Sequence, residues 1–133
     1  MNNSAILLLL LLVGSLSTVA QNRTSASSDR SNQLVHMVFF KPKSEAAKQR
    51  LIKSLETFRT IDVIRNVQIG LGEDTNNPKG FLSDYSVVLQ LTFANLAKFR
   101  VYEKHPVHLA SIEATKDLMA SPPMGYDYYT NNE

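Results

Sequence analysis

The sequence contains no cysteine. This absence excludes a disulfide framework, a thiolate nucleophile and a cysteine-ligated zinc site. It also excludes a lipid-modified cysteine behind an N-terminal leader, so the sequence offers no lipoprotein anchor. Histidine is scarce as well, with 3 residues in the whole chain. Any chemistry of this protein must therefore depend on a small set of side chains.

The chain has little excess charge, with a net charge of +2 at pH 7. A nucleic-acid-binding surface usually shows a basic stripe with interleaved aromatic residues, and no stretch has that pattern. The basic residues that do cluster fit the solvated face of a helix: Lys41, Lys43, Lys48, Arg50 and Lys53. We therefore predict no nucleic-acid partner. A length of 133 residues with 44% hydrophobic residues predicts one globular domain.

No apolar run is long enough for a transmembrane helix, which needs about 20 residues. The most apolar run, residues 6–13, fits the core of a secretory signal, although no Lys or Arg precedes it. We predict a signal peptide over residues 1–20 and export to the periplasm or the outside, without a stable membrane anchor; an uncleaved anchor is the alternative. Residues 21–33 are rich in Ser, Asn and Thr and predict a flexible linker.

The remaining chain, residues 34–130, alternates between strand-like and helix-like patterns. Strands are predicted where apolar residues alternate or run together, and helices where they recur every three or four residues. A proline after His105 breaks the second helix, because helical backbone is disfavoured before proline. The predicted elements are strand 34–41, helix 44–58, strands 63–71 and 85–93, helices 95–104 and 106–119, and strand 126–130. This β-α-β-β-α-α-β order predicts an α+β, ferredoxin-like sandwich.

Both faces of the first predicted strand are apolar. His36, Val38 and Phe40 fall on the face that the helices are expected to cover. Met37 and Phe39 fall on the opposite face, which Val88 of the third strand shares. An exposed apolar sheet face usually marks an interface. We therefore predict a homodimer with the two open sheet faces packed together.

The candidate site combines His36 of the first strand with Tyr102 and His108 on either side of the proline break. An imidazole among apolar neighbours stays neutral and can act as a base. A nearby phenol can donate a hydrogen bond to a carbonyl oxygen and stabilise developing negative charge. We predict that these groups share an apolar pocket, that it needs no cofactor, and that its wall is formed by Val38, Phe40, Leu51, Leu55, Val87 and Leu89.

Other interpretations of these residues remain open on the sequence. The histidines and Tyr102 could be packed core residues without a chemical role. His105 is placed to cap the helix that begins at Pro106. Three converging histidines could bind zinc or copper, but the pattern fixes no carboxylate beside them, and we predict no metal.

Three segments together resemble one known family, the stress responsive A/B barrel (Dabb) domain. They are VHMVFFK from Val35 to Lys41, the spacing Phe99-x-x-Tyr102-x-x-His105-Pro106-x-His108, and Tyr126-Asp127-Tyr128 near the end. The resemblance covers about residues 34–130. It implies a dimeric α+β barrel built from ferredoxin-like subunits.

Most members of that family have no assigned reaction. One plant member is a cyclase that closes a polyketide chain by aldol condensation without metal or cofactor. Similarity to it implies a pocket histidine at His36, a base at His108 and a pocket tyrosine at Tyr102. Two further polar pocket positions of the cyclase are Val87 and Leu55 here, so the resemblance implies a more apolar pocket.

We therefore predict an exported, stress-response-type domain that binds a small apolar or carbonyl-containing ligand in a pocket lined by His and Tyr. The alternative is a cofactor-free lyase or cyclase with His108 as general base. A structural dimer whose histidines only fill the core is the third hypothesis. Whether the chain is an enzyme stays open on the sequence.

Overall fold

The computed structural model describes residues 32–76 and 84–131 of the chain. In this part the elements follow the predicted order: β1 Leu34–Phe40, α1 Glu45–Glu56, β2 Ile64–Leu71, β3 Val87–Phe93, α2 Leu96–Glu103, α3 Pro106–Thr115 and β4 Met124–Tyr129. The predicted signal peptide, residues 1–20, lies outside the described residues, as does nearly all of the predicted linker. No helix within the described ranges is long and apolar enough to span a membrane.

The strands form one antiparallel sheet in the order β2-β3-β1-β4, with β1 between β3 and β4. This arrangement confirms the ferredoxin-like fold. Several predicted bounds were wrong by a few residues. β3 begins at Val87 instead of residue 85, and β4 begins at Met124 instead of residue 126. The helices α1 and α3 also end earlier than predicted, each followed by a short 3-10 helix, at Thr57–Thr60 and Lys116–Leu118.

Side-chain caps fix where the helices begin. The Ser44 hydroxyl accepts a hydrogen bond from the Ala47 backbone N–H at 3.1 Å, and α1 starts there. Asn95 caps α2 in the same way. At the proline break, the His105 ring accepts a hydrogen bond from the Val107 N–H at 3.2 Å, which confirms its predicted role as the cap of α3.

The hydrophobic core lies between the helices and one face of the sheet. Alternate residues of β3 point into it, as the pattern predicts, and they are almost completely buried: Val87, Leu89, Leu91 and Phe93. They pack against Leu51, Leu55 and Phe99 from the helices. The core and the broken second helix together place β1 opposite the start of α3.

The other sheet face carries no helix in the described part of the chain. Cross-strand neighbours of Met37 on this face are Gln90 of β3 and Tyr126 of β4, and those of Phe39 are Val88 and Met124. Tyr126 is 64% exposed. We call the surface formed by Met37, Phe39, Val88, Met124 and Tyr126 the open sheet face.

Truncating the centre of the core tests this packing. Leu91 is 0% exposed, so we expect Leu91→Ala to lower the free energy of unfolding by about 2–5 kcal/mol through lost burial and a new cavity. Urea unfolding followed by circular dichroism measures the change. Leu96→Ala is the matched control, because Leu96 is 45% exposed on α2 and should cost less than about 0.5 kcal/mol. Equal losses for the two variants would contradict the packing described here.

Candidate functional site

A cavity of about 310 Å³ lies between the sheet and the helices. His36, Val38 and Phe40 of β1 and Leu89 of β3 line its sheet side, and Leu55, Tyr102 and His108 line its helix side. The three candidate site residues therefore border one space. Pockets that are mostly apolar with a few converging polar groups are typical small-molecule sites.

Two residues predicted for the pocket wall, Leu51 and Val87, do not line the cavity. Both are buried in the closed core, with exposures of 0% and 1%. Leu51 lies one helical turn before Leu55, and Val87 lies two residues before Leu89. Sequence periodicity gives the correct face in both cases, but it does not tell how far the cavity extends along an element.

His36 is held by an acidic residue that the sequence analysis did not place. Its Nδ1 lies 2.6 Å from Oδ1 of Asp127 on β4. The pairing of β1 with β4 puts His36 directly opposite Asp127. A carboxylate accepts hydrogen bonds, so the His36 Nδ1–H donates a hydrogen bond to Asp127. In the neutral ring, the other nitrogen, Nε2, is then left with a free lone pair.

His108 has its orientation and tautomer set by the backbone of the preceding helix. Its Nδ1 lies 3.1 Å from the carbonyl oxygen of Glu103. A carbonyl can only accept, so Nδ1–H is the donor and Nε2 keeps its lone pair in the neutral ring. Burial lowers the pKa of His108, an effect that outweighs the opposing hydrogen bond to the Glu103 carbonyl. The ring is therefore neutral near pH 7 and can accept a proton.

Tyr102 is buried in the interior, with its ring near both histidines. It is 2% exposed, and its ring stacks on His108 with centroids 4.2 Å apart and an interplanar angle of 29°. The His36 centroid is 6.0 Å away on another side. Burial raises the pKa of the Tyr102 phenol, with the negative charges of Glu103 and Asp127 adding to the effect. Tyr102 therefore stays protonated and can donate a hydrogen bond.

Several cavity residues were missed by sequence reasoning. They are Phe58, Phe99, Glu103, Ser111, Ile112, Thr115, Pro123 and Gly125. Ser111, Ile112 and Thr115 could have been found, because they follow His108 by three, four and seven residues and so share its helical face. Asp127 could have been found from the expected antiparallel pairing of the first and last strands.

A metal centre finds no support in the described part of the chain, where no group of three or more His, Asp or Glu residues could hold an ion. His105, the third histidine, uses its ring to cap α3. The polar residues that line the cavity are His36, Tyr102, Glu103, His108, Ser111 and Thr115, and Asp127 holds His36 from β4. The imidazole and phenol groups among them are suited to hydrogen bonding and proton transfer.

The fold and the cavity together define a ferredoxin-like α+β domain with histidine and tyrosine side chains in an otherwise largely apolar pocket. The chain belongs to the stress responsive A/B barrel domain family, whose sequence profile matches residues 34–128. This match confirms the resemblance drawn from the three sequence segments. Among curated proteins, none shows significant similarity to the chain.

Solved structures with the same fold cover most of the described chain. A dimeric ferredoxin-like protein of unknown function from Bacteroides fragilis is 24% identical, with a TM-score of 0.59 over 74% of this chain and 96% of that one. A Dabb family protein from Mesorhizobium loti is 18% identical, with a TM-score of 0.57 over 73% and 95%. Hydroxynitrile lyase from Passiflora edulis is 16% identical, with a TM-score of 0.64 over 74% and 94%. At these identities the likeness establishes the fold alone.

Proposed function

We propose that this protein binds a small, mostly apolar compound with a carbonyl group in the cavity beside His36, Tyr102 and His108. The observation that carries the proposal is the stacked pair of Tyr102 and His108, which places a phenol donor and an imidazole base in one apolar cavity. A buried donor gains most from an acceptor in the ligand, because unpaired buried polar groups are costly. A carbonyl oxygen supplies that acceptor.

A cofactor-free lyase or cyclase is the second candidate, and the fixed tautomer of His108 favours it. With its proton held on Nδ1 by the Glu103 carbonyl, Nε2 is free to take a proton from the carbon next to the ligand carbonyl. The C–H electron pair then forms the enolate, whose oxygen Tyr102 can stabilise. The likeness in fold to a hydroxynitrile lyase supports a lyase class for this site.

We also propose a homodimer formed through the open sheet face, and export directed by residues 1–20. The dimer is supported by the apolar residues of that face and by the dimeric state named for ferredoxin-like neighbours. Export is supported by the apolar run near the N-terminus. A fusion of residues 1–33 to a reporter that is active only outside the cytoplasm tests export, and a silent reporter would reject it.

The binding proposal can be tested with benzylacetone, a small apolar methyl ketone. A ligand present at about ten times its Kd adds about 1.4 kcal/mol of stability, which predicts a rise in Tm of roughly 6–11 °C. Differential scanning calorimetry measures this rise as a function of ketone concentration. A concentration-independent Tm would contradict the proposal.

The cavity offers a variant that blocks it without disturbing the core. A Cβ at Gly125 would lie 3.8 Å from the Met37 carbonyl oxygen and 4.0 Å from His36 Cε1, both ordinary contacts, and Gly125 lines the cavity, so a side chain fits there. Gly125→Val is expected to fill space beside His36 and abolish the rise in Tm with benzylacetone. Tyr126→Phe is the control, since its residue neighbours Gly125 but lies on the open sheet face, and it should keep the rise.

A further inference from the structure

The inner face of α3 carries a second group of polar side chains, separate from the histidines and Tyr102. Ser111 and Thr115 both line the cavity. Ser111 is 5% exposed, and serine and threonine are mostly exposed residues in proteins. A helix rises about 1.5 Å per residue, so Ser111 lies about 4.5 Å and Thr115 about 10.5 Å along α3 from His108. Polar lining residues therefore continue along one face of α3 from His108 to Thr115.

The hydroxyl groups of Ser111 and of its partner Ser54 have hydrogen-bonding capacity left over. The Oγ atoms of Ser111 and Ser54 are 2.8 Å apart, which uses the proton of one of them. Neither hydroxyl makes another hydrogen bond within residues 32–76 and 84–131. Each serine hydroxyl has one donor and two acceptor sites. The pair thus keeps one proton that it can donate. When Ser54 is the donor within the pair, this proton belongs to Ser111, which lines the cavity.

Thr115 supplies the complementary capacity. Its hydroxyl donates to the backbone carbonyl of Ser111 at 2.7 Å. The proton is used in that bond, whereas the oxygen still has acceptor sites. A ligand group that accepts a hydrogen bond from the serine pair and donates one to the Thr115 oxygen would pair with both sites. Among neutral oxygen groups, a hydroxyl does both, whereas a carbonyl or an ether can only accept.

Apolar side chains form much of the rest of the cavity wall. Leu55 of α1, Phe58 of the 3-10 helix that follows it and Ile112 of α3 line the cavity. A hydrocarbon or aromatic body fits such a wall better than a polar chain. The lining therefore matches a molecule with an apolar body, a carbonyl that reaches Tyr102 and His108, and a hydroxyl that reaches Ser111 and Thr115.

We propose that Ser111 and Thr115, with Ser54 behind Ser111, form a second subsite that binds a hydroxyl group of the ligand. The cavity then selects hydroxylated carbonyl compounds over their unhydroxylated analogues. This inference rests on the proposed binding of carbonyl compounds, and it names their class. Specificity built on hydrogen bonding to a ligand hydroxyl is strong, because the analogue without it leaves buried groups unpaired.

The test compares two ketones that differ in one hydroxyl group, benzylacetone and para-hydroxybenzylacetone. Isothermal titration calorimetry gives Kd for each with the full chain and its variants. The hydroxylated ketone is expected to bind about tenfold more tightly to the natural protein. In Ser111→Ala the two ketones should have about equal Kd values, while the Kd for benzylacetone changes less than about twofold. Thr115→Val should lose part of the preference.

Matched variants separate this subsite from a general effect on folding. Thr60→Val removes an exposed hydroxyl that also donates to a backbone carbonyl, at 2.7 Å from Thr57, and should keep the full preference. Ser54→Ala should reduce the preference for the hydroxylated ketone as Ser111→Ala does. It therefore gives a second measurement of this effect if one of the two variants folds poorly. Thermal melts by circular dichroism identify such a variant.

The outcomes distinguish this inference from the function on which it rests. If both ketones bind the natural protein equally, or the preference survives in Ser111→Ala, the hydroxyl subsite is wrong while carbonyl binding stands. If neither ketone binds, the proposed function fails and the subsite fails with it. A preference that is lost only in the Ser54, Ser111 and Thr115 variants establishes the subsite.

Discussion

Replacing Met37 with glutamate is expected to convert the proposed homodimer into monomers, with a dissociation constant raised by about a hundredfold or more. Met37 lies on the central strand β1, between Gln90 of β3 and Tyr126 of β4. In a two-fold interface the substitution occurs twice, so two carboxylates are buried in the same interface. Like charges placed together at an interface cost several kcal/mol, and about 1.4 kcal/mol corresponds to a tenfold change in affinity.

Sedimentation-velocity ultracentrifugation over a range of concentrations measures this change. Ala97→Glu is the matched control, because it adds the same charge at an exposed position on α2, in the helical layer on the other side of the sheet. It should leave the dimer intact. If Met37→Glu sediments as a dimer at the same concentrations as the natural protein, the open sheet face is not the interface.

The arrangement of the fold could be predicted because each element has a clear repeat. In β3 strict alternation separates the buried Leu89 and Leu91 from Val88 and Gln90 on the open side. The proline at position 106 gives the break between α2 and α3, since it fits a first helical turn and disfavours helix before it. These signals are local, so they are visible in the sequence.

The start of β4 could not be predicted in the same way. Met124 and Gly125 follow two prolines, and glycine is uncommon in strand interiors. They become strand because Met124 pairs with Phe39 and Gly125 pairs with Val38 of β1. Pairing with an established neighbour overrides a weak local preference. The same pairing brings Asp127 to His36. The wrong start of β4 and the missed contact between Asp127 and His36 therefore have one cause.

The site was predicted in outline but not in its chemistry. The sequence places His36 and His108 on elements that can meet, but it cannot show which ring nitrogen carries the proton. That depends on Asp127 for one ring and on the Glu103 carbonyl for the other. Both partners accept a hydrogen bond from Nδ1, so neither of them occupies Nε2. The partners of the two rings differ. Asp127, the partner of His36, is a half-exposed carboxylate, whereas the partner of His108 is the Glu103 backbone carbonyl, which has no formal charge.

Replacing His108 with glutamine is expected to slow proton abstraction from a bound ketone by about a hundredfold to ten-thousandfold, the usual contribution of a general base. The glutamine amide can still donate to the Glu103 carbonyl in place of Nδ1–H, but it has no basic nitrogen. Exchange of the α-protons of benzylacetone in deuterated water, followed by NMR, measures the rate without knowledge of the natural substrate. Tyr102→Phe should slow the exchange less, because it removes the stabilisation of the enolate oxygen and leaves the base.

The dependence of this exchange on pH separates His108 from other bases. Burial lowers the pKa of His108 from its ordinary value of 6.5, so the neutral base persists below pH 6.5 and the rate should fall only at a lower midpoint. The same shift makes the unfolded state bind more protons than the folded state, so stability should decline as pH falls from 6.5 toward the lowered pKa.

His105→Asn is the control for the exchange measurements, since asparagine keeps the cap of α3. Exchange in His108→Gln within about twofold of the natural rate would rule out His108 as the base, because a general base contributes at least about a hundredfold.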